Sequence, residues 1–355
     1  MSYAPITTRP LRGAIFGYGS IGPVHMACMR GYSEDRSDRV PDAEIVAIAE
    51  PLKERADRVP EGVAVYPDYQ TLLNAQEIDV AHICLAHDLH APAVIAAAEK
   101  GVNIICEKPM ALNAEEARRM KDAVEANEVR FSLISQNRLN PEKMWLKQRI
   151  SDGSVGDILR IDWQVDWFRS VEYYADSGGW RGRDAQARGG ALSNQAYHTL
   201  DLAMWLANSP VVEVVARIST DASIHPGIDV PDRLEGELTF ESGIRTTFLA
   251  TVCGNPKDII ELSLRGKRNG ATTKVVLDGT SIVSQDIASE TPVFEQAGPI
   301  LGKVCYGSSH QENIARSYEA FISGEETPVG ADDGIRVLEV IDAILESNGQ
   351  PVRVR

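Results

Sequence analysis

Basic residues are scarce in this chain. Its 355 residues contain 36 Lys and Arg against 51 Asp and Glu, which gives a formal net charge of -15. Nucleic acids and anionic membrane surfaces are bound through basic patches, so neither is expected as a partner. Long apolar runs are also missing: no stretch approaches the roughly 18 apolar residues that span a membrane. The opening residues MSYAPITTRP lack the apolar core of a secretory signal, so the expected location is cytoplasmic.

Cysteine is present but does not form a pattern. The five cysteines are widely spaced and include no Cys-x-x-Cys pair: Cys28, Cys84, Cys106, Cys253 and Cys305. Disulfide frameworks and zinc sites need recurrent short spacings, so we expect reduced thiols and no metal. The length exceeds what one hydrophobic core usually serves. We therefore expect two domains, residues 1–135 and 136–355.

A glycine-rich turn follows the first apolar segment. Residues 11–16 predict a strand, Gly17-Tyr-Gly-Ser-Ile-Gly22 follows, and a helix is expected from Pro23 onward. In a dinucleotide-binding turn the first glycine permits the tight turn, the second lets a pyrophosphate approach, and the third lets the helix pack on the strand. The alternative is a purely structural turn. The predicted cofactor-binding residues here are Gly17, Gly19, Ser20, Ile21 and Gly22.

Glu50 ends the next predicted strand, AEIVAIAE. A carboxylate at this position accepts hydrogen bonds from the ribose hydroxyls of NAD and repels the 2′-phosphate of NADP, so we expect NAD rather than NADP. Glu50 follows Gly22 at a longer interval than is usual, which the polar stretch 31–43 explains as an extended loop. The alternative is a solvated acid at a strand end.

The segment NIICEKPM, residues 103–110, ends a buried strand with an acid, a base and a proline. Strands and helices alternate through the first 135 residues, which predicts a parallel sheet of the Rossmann type. Ligands bind at the carboxyl ends of such strands, so Lys108 is expected to face the ligand. Glu107 is predicted to contribute to cofactor binding or to hold the turn. A merely solvated lysine is the alternative.

The later part of the chain has a different rhythm. Strand-like stretches follow one another with few helices between them, which indicates a largely antiparallel sheet in an α+β domain. The expected strands are 158–168, 211–220, 234–240, 244–252, 259–265 and 273–277. The C-terminal helix is a candidate to pack back on the first domain. The whole chain is thus predicted to be α/β, a Rossmann domain followed by this α+β domain.

One helical segment of the second domain carries paired polar residues. Asn194 and His198 are four residues apart after Gly189-Gly190, so both are expected on one helix face. The alternative for a lone histidine is a packed or surface residue. Asp201 is expected to orient the helix. Planar polar and aromatic side chains suit a sugar ring; the predicted pocket residues, with Asn194, are Arg181, Tyr174, Trp180, Arg138 and Gln136.

Together these motifs resemble the Gfo/Idh/MocA oxidoreductases, named after glucose-fructose oxidoreductase and inositol dehydrogenase. The resemblance covers nearly the whole chain and implies that Lys108 and His198 are the catalytic pair, with residue 194 binding substrate. Two features depart from the family pattern. Asn194 stands where many members have Asp, and residues 86–88 read Ala-His-Asp instead of Thr-Pro-Asn. The resemblance also supports a homodimer or homotetramer.

Alcohol oxidation requires a hydride acceptor and a proton acceptor. NAD accepts the hydride. Lys108 would stabilise the developing alkoxide, and His198 would accept a proton near neutral pH, although which of the two takes it directly stays open. The expected function is hydride transfer from a ring hydroxyl of a sugar, sugar derivative or polyol to NAD. Two alternatives are an NAD-assisted glycosidase, acting by oxidation, elimination and reduction, and a non-catalytic nucleotide sensor.

Overall fold

The computed structural model describes residues 10–31, 39–40, 42–254, 258–288, 293–294 and 307–355. Most of the extended loop expected at 31–43, and Cys305, lie outside the described residues. The chain divides into two compact units. The first unit comprises the described residues of 1–111, 115–136 and 296–335, and the second those of 112–114, 137–295 and 336–355.

The first unit is built on a parallel sheet, as the alternating pattern predicts. Its strands are β1 (Leu11–Phe16), β2 (Ala43–Ala49), β3 (Ala64–Tyr66), β4 (Val80–Ile83), β5 (Asn103–Cys106) and β6 (Phe131–Leu133). The helices between them are α1 (Gly22–Arg30), α2 (Lys53–Ala56), α3 (Tyr69–Ala75), α4 (His90–Glu99) and α5 (Ala114–Ala126). The strand order is β3-β2-β1-β4-β5-β6. The order reverses between β1 and β4, which is where open sheets of this kind bind ligands.

The second unit contains the expected, largely antiparallel sheet. Its helices are α6 (Pro141–Ser151), α7 (Val171–Ala175), α8 (Asp184–Ala187) and α9 (Tyr197–Ala207). Its strands are β7 (Asp157–Asp166), β8 (Val211–Ser219), β9 (Arg233–Phe240), β10 (Arg245–Thr251), β11 (Ile259–Arg268), β12 (Ala271–Asp278), β13 (Ser281–Gln285) and β14 (Val352–Arg353). The order is β13-β12-β11-β7-β10-β9-β8-β14, with β7 and β10 parallel. The sequence did not predict β13, which is only partly buried and shows no apolar alternation.

Two helices follow, α10 (Gly307–Ser323) and α11 (Ala331–Ser347). The core of the first unit contains Ile314, Tyr318 and Phe321 of α10 together with Ile15 of β1 and Ile48 of β2. A helix late in the chain therefore belongs to the first unit, because its apolar face completes the cover of the parallel sheet. The boundary between the units falls within α11: its residues up to Ile335 belong to the first unit and those from Arg336 to the second.

No helix among the described residues is long and apolar enough to cross a membrane. None of the four described cysteines forms a disulfide.

Candidate functional site

The glycine turn after β1 has the geometry that the motif predicts. Gly17 has a φ of +92°, and a Cβ there would lie 2.5 Å from the carbonyl oxygen of Cys84. A Cβ on Gly22 would lie 2.3 Å from the oxygen of Gly17. Neither position tolerates a side chain, since both contacts are with backbone. Ser20 is exposed and Gly19 and Ile21 are half-buried, so the outer side of the turn is accessible to a ligand at the N-terminus of α1.

Glu50 connects the end of β2 to this turn. One carboxylate oxygen accepts a hydrogen bond from the backbone N–H of Tyr18 at 2.8 Å, and the other accepts one from Leu52 N–H at 3.0 Å. The side chain is buried, so it is not a solvated strand end. A carboxylate can accept about four hydrogen bonds in all, which leaves room for two ribose hydroxyls. The arrangement fits a dinucleotide.

Lys108 lies just beyond the end of β5, and the Lys108–Pro109 peptide bond is cis. Its side chain is half-buried. The backbone N–H of Lys108 donates to the Glu107 carboxylate at 3.1 Å. On the other side, His90 Nδ1 lies 2.8 Å from the carbonyl oxygen of Pro109, and its Nε2 lies 3.1 Å from that of Leu85. The backbone around the lysine is therefore fixed by buried polar contacts on both sides.

Glu107 points into a buried group of histidines. Its Oε1 lies 3.1 Å from His25 Nε2 and 3.4 Å from His310 Nε2. His25 Nδ1 lies 2.8 Å from His82 Nδ1, and His82 Nε2 lies 2.8 Å from the Tyr318 hydroxyl. One consistent proton assignment has the donors running from Tyr318 through His82 and His25 to the carboxylate, with each ring neutral. These partners favour a role for Glu107 in holding the turn over direct cofactor contact.

The electrostatics of this group follow from burial. Burial alone would raise the pKa of Glu107, but the hydrogen bond from His25 and the charges of nearby basic groups outweigh it and lower the pKa to about 2. Burial lowers the pKa of His310 to about 4. His310 is then neutral at pH 7, so the hydrogen bond from His25 is the stronger reason that the carboxylate stays ionised. Burial also lowers the pKa of His82 and His90.

In the second unit, Gly189 and Gly190 open the segment that carries the predicted site. Gly190 has a φ of +46°, and a Cβ there would lie 2.1 Å from the carbonyl oxygen of Pro231. The N–H of Ala191 donates to that same oxygen at 2.9 Å. The segment then forms a π-helical turn, Leu192–Ala196, before α9 begins. Single π turns inside helices are frequent at functional sites.

Asn194 and His198 are the accessible residues of this segment. From Gly189 to Ala203 every residue is buried except these two, which are half-buried. Asn194 Nδ2 donates to the carbonyl oxygen of Gly190 at 3.3 Å. The helical segment expected to carry these residues is not a regular α-helix at Asn194, because residues 192–196 form the π turn, whereas His198 lies in α9.

Arg138 and Gln136, which the sequence predicts as pocket residues, are both buried. Arg138 Nε donates to Asp201 Oδ2 at 2.9 Å, and a second bond joins its Nη2 to the other carboxylate oxygen. Because Asp201 lies on α9, this two-point ion pair fixes the helix that carries His198. These contacts favour a positioning role for Arg138 and agree with the helix-orienting role expected for Asp201. Gln136 belongs to the first unit.

Two neighbouring tyrosines of the second unit, Tyr173 and Tyr174, differ in exposure. Tyr174 is buried, with its ring 5.0 Å from that of His225, and burial raises its pKa. Tyr173 is half-buried, and its hydroxyl accepts a hydrogen bond from Gln195 Nε2 at 2.8 Å. The guanidinium carbon of Arg181, which the sequence predicts as a pocket residue, lies 5.0 Å from the centre of the Tyr173 ring. Tyr173 and Gln195 are therefore added to the candidate pocket residues.

Two profiles of one protein family match the chain in order. The family's N-terminal domain, described as an oxidoreductase family with an NAD-binding Rossmann fold, matches residues 11–135. The GFO/IDH/MocA C-terminal domain matches residues 144–272. The chain belongs to the Gfo/Idh/MocA oxidoreductases. The predicted family and fold class are confirmed, and the protein is an NAD-dependent dehydrogenase of the class that acts on CH–OH groups.

Named relatives within this family act on sugars and polyols. D-glucoside 3-dehydrogenase of Escherichia coli is 27% identical over 75% of this chain and 78% of its own length. Inositol 2-dehydrogenase of Rhizobium meliloti is 23% identical over 95% of this chain and 96% of its own length. The crystal structure of the WlbA dehydrogenase from Bordetella pertussis, in complex with NADH and UDP-GlcNAcA, is 26% identical over 99% of both chains, with a TM-score of 0.85.

Several contacts around the candidate residues could not be predicted from local sequence patterns. Nothing in the local pattern indicates that His25, His82 and His310 converge on Glu107, since α1, β4 and α10 supply them from distant parts of the chain. Gln195 was not predicted as a site residue, because nothing in the local pattern pairs it with Tyr173. His87, which stands in the part of the sequence that departs from the family pattern, is buried in the short helical turn His87–Leu89 after β4.

Proposed function

We propose that this protein oxidises a ring hydroxyl of a sugar, sugar derivative or polyol with NAD. The observation that carries the proposal is that Asn194 and His198 are the accessible residues of a segment otherwise buried from Gly189 to Ala203. Such selective exposure leaves these two polar side chains accessible to a ligand. The named relatives, which include a glucoside and an inositol dehydrogenase, support the substrate class.

Lys108 is proposed to stabilise the alkoxide that develops as the hydroxyl loses its proton. An ammonium held beside a developing negative charge in a site that excludes water contributes several kcal/mol to a transition state. The contacts of Glu107 and His90 hold the backbone on either side of the lysine. The backbone from which the side chain extends is therefore held in place, which limits the reorganisation that the reaction requires.

His198 is proposed to accept the proton, and Asn194 to bind a neighbouring hydroxyl. Histidine titrates near neutral pH, which suits a general base. An amide both donates and accepts, so it can bind a hydroxyl in either direction. The Arg138–Asp201 ion pair holds the helix on which His198 lies. NAD, when bound, supplies the hydride acceptor.

NAD is proposed as the preferred cofactor over NADP because of Glu50. Its buried carboxylate already binds the turn through Tyr18 N–H and lies at the end of β2. A 2′-phosphate placed there would meet an ionised carboxylate, which is unfavourable at close range.

The test is NADH formation across a panel of sugars, polyols and nucleotide sugars, with NAD and NADP in parallel. With the best substrate, Lys108→Ala and His198→Ala should each lower kcat by about 100-fold or more. Lys100→Ala is the matched control, since Lys100 is exposed and its Nζ binds Asn74. Unchanged rates in both variants would remove these two residues from the reaction.

The glycosidase alternative makes a different prediction. An enzyme that oxidises and then reduces its substrate consumes no net NAD, whereas a dehydrogenase produces one NADH per turnover. Stoichiometric NADH would exclude the glycosidase as the main activity. The dehydrogenase names of the relatives favour this outcome.

A further inference from the structure

Two arginines share one tyrosine ring in the second unit. The guanidinium carbon of Arg169 lies 5.5 Å from the ring centre of Tyr173, and that of Arg181 lies 5.0 Å from it. Arg169 also lies 4.4 Å from the ring centre of Trp167, and Arg181 lies 4.9 Å from that of Trp180. Two cations around one ring repel each other, and an anion between them relieves that repulsion.

This arginine pair adjoins the segment that carries Asn194 and His198. The link is Gln195, which follows Asn194 directly and donates from Nε2 to the hydroxyl of Tyr173 at 2.8 Å. The pair therefore lies beside the proposed substrate-binding residues of the same unit. A substrate bound at Asn194 would bring its distal groups toward the two guanidiniums.

The protein's own counter-charges to the pair are weak. Arg181 Nη1 lies 3.2 Å from Asp176, and Arg169 Nη1 lies 3.8 Å from Asp258. The side chains of both acids are more than half exposed, at 59% and 54%, whereas the arginines are only 13% and 22% exposed. Ion pairs with such solvated carboxylates contribute little. Arg169 Nη1 also donates to the carbonyl oxygen of Phe168 at 2.8 Å. Each guanidinium carries five N–H donors, so these contacts together use a minority of them.

Buried contacts hold the backbone at or next to both arginines. His225 Nε2 lies 2.7 Å from the carbonyl oxygen of Arg169, and His225 Nδ1 lies 2.8 Å from Asp232. His225 and Asp232 are 1% and 0% exposed. Next to Arg181, Gly182 is buried against Ile228, where a Cβ would come within 2.8 Å. The loop from 225 to 232 thus supports both positions, as expected for a prearranged binding site.

We propose that the substrate of this dehydrogenase carries an anionic group, a carboxylate or phosphate, that Arg169 and Arg181 bind. This inference rests on the proposed function, because it names a substrate class for the same site. Guanidinium is suited to the task, since its planar fork pairs with carboxylate or phosphate oxygens through two hydrogen bonds. Trp167 and Trp180 complete a surface that receives the apolar face of a sugar ring.

The experiment compares anionic sugars with their neutral parents. Wild type, Arg169→Gln and Arg181→Gln are assayed for NADH formation with hexuronates, hexose 6-phosphates and the parent hexoses, and the binding of each sugar is measured by calorimetry. Arg183→Gln is the control, because it removes the same charge two residues from Arg181 at an exposed position. Wild type should prefer one anionic class by at least tenfold in kcat/KM, and each Gln variant should lose that preference through KM.

The outcomes separate this inference from the proposed function. Preference for hexuronates identifies a carboxylate, and preference for hexose phosphates identifies a phosphate. The anion site is wrong, while the dehydrogenase stands, if wild type has the same kcat/KM for the neutral hexoses and both anionic classes. The same conclusion follows if the Gln variants lower kcat/KM equally for all sugars. If no sugar is oxidised but anionic sugars bind in a manner that the Gln variants abolish, the anion site stands and the proposed function fails. Absence of any anionic preference in both assays overturns the inference.

Discussion

The two units of this protein hold their proposed catalytic side chains in different ways. In the first unit the backbone of Lys108 is fixed by a buried carboxylate that is bonded to histidines. In the second unit Asn194 and His198 lie on a segment fixed by Gly190 packed against the Pro231 carbonyl. The first arrangement depends on protonation and the second on the absence of a side chain. Acid should therefore weaken the first, and added volume the second.

The largest effect is expected from Gly190→Ala in the second unit. The new Cβ would overlap a backbone carbonyl at 2.1 Å, which cannot move cheaply, and the positive φ adds strain. We expect a loss of about 3 kcal/mol or more in the free energy of unfolding. Urea unfolding measures it.

Gly178→Ala is the matched control for that prediction. Gly178 has a φ of +78° but no atom within 4 Å of an added Cβ, so only the backbone term of about 1 kcal/mol applies. Equal losses in the two variants would show that packing against Pro231 does not hold the segment.

The next effect is acid destabilisation of the first unit through His310. Its pKa is about 4 in the folded protein and 6.5 for an ordinary histidine, so the unfolded chain takes up the proton first as the pH falls. Stability that is present above pH 6.5 is lost progressively down to about pH 4, by about 3 kcal/mol. The ionised Glu107 adds its own loss only below its ordinary pKa of 4.5, toward pH 2.

His310→Gln tests the assignment of that slope. The variant should unfold more easily than wild type at pH 7, because it loses a buried contact to Glu107, but its stability should change less between pH 6.5 and 4. Urea unfolding at a series of pH values measures the difference in slope. Parallel curves for wild type and variant would mean that His310 does not titrate with folding.

A smaller effect is expected from Glu50→Gln at the glycine turn. The change removes a charge and one of the two oxygens that accept the Tyr18 and Leu52 N–H groups. The preference for NAD over NADP should fall by about tenfold, which corresponds to about 1.4 kcal/mol. The ratio of kcat/KM for the two cofactors measures it, and an unchanged ratio would locate the discrimination elsewhere.

The smallest effect is expected for an exposed ion pair of the first unit, Lys53 with Asp57. Both side chains are mostly exposed, at 85% and 61%, although their charged atoms lie 2.8 Å apart. Lys53→Ala should change the free energy of unfolding by at most about 0.5 kcal/mol. A larger change would mean that exposed polar contacts also stabilise the first unit. The buried polar contacts would then not be what distinguishes the first unit from the second.

The sequence predicted the first unit's sheet and its glycine turn well because these depend on local rules. Apolar runs of strand length, glycines at fixed intervals and an acid at a strand end are all readable within about 40 residues. The position of α10 was harder to predict from the sequence, since its packing with β1 and β2 joins residues far apart in the chain. The π turn at Leu192–Ala196 was not predicted, because helical periodicity does not distinguish it from a regular α-helix.

By itself, the sequence determined the family and the Rossmann sheet, and it singled out Lys108, Asn194 and His198 as candidates, because each depends on short patterns of size, charge and backbone freedom. Only the tertiary structure decided that Glu107 faces histidines, that Arg138 is bound by Asp201, and that Arg169 joins Arg181 around Tyr173. Such pairings are decided by which distant side chains meet when apolar surface is buried. Buried polar groups are then paired with one another, since a buried polar group without a hydrogen-bond partner raises the free energy of the folded state.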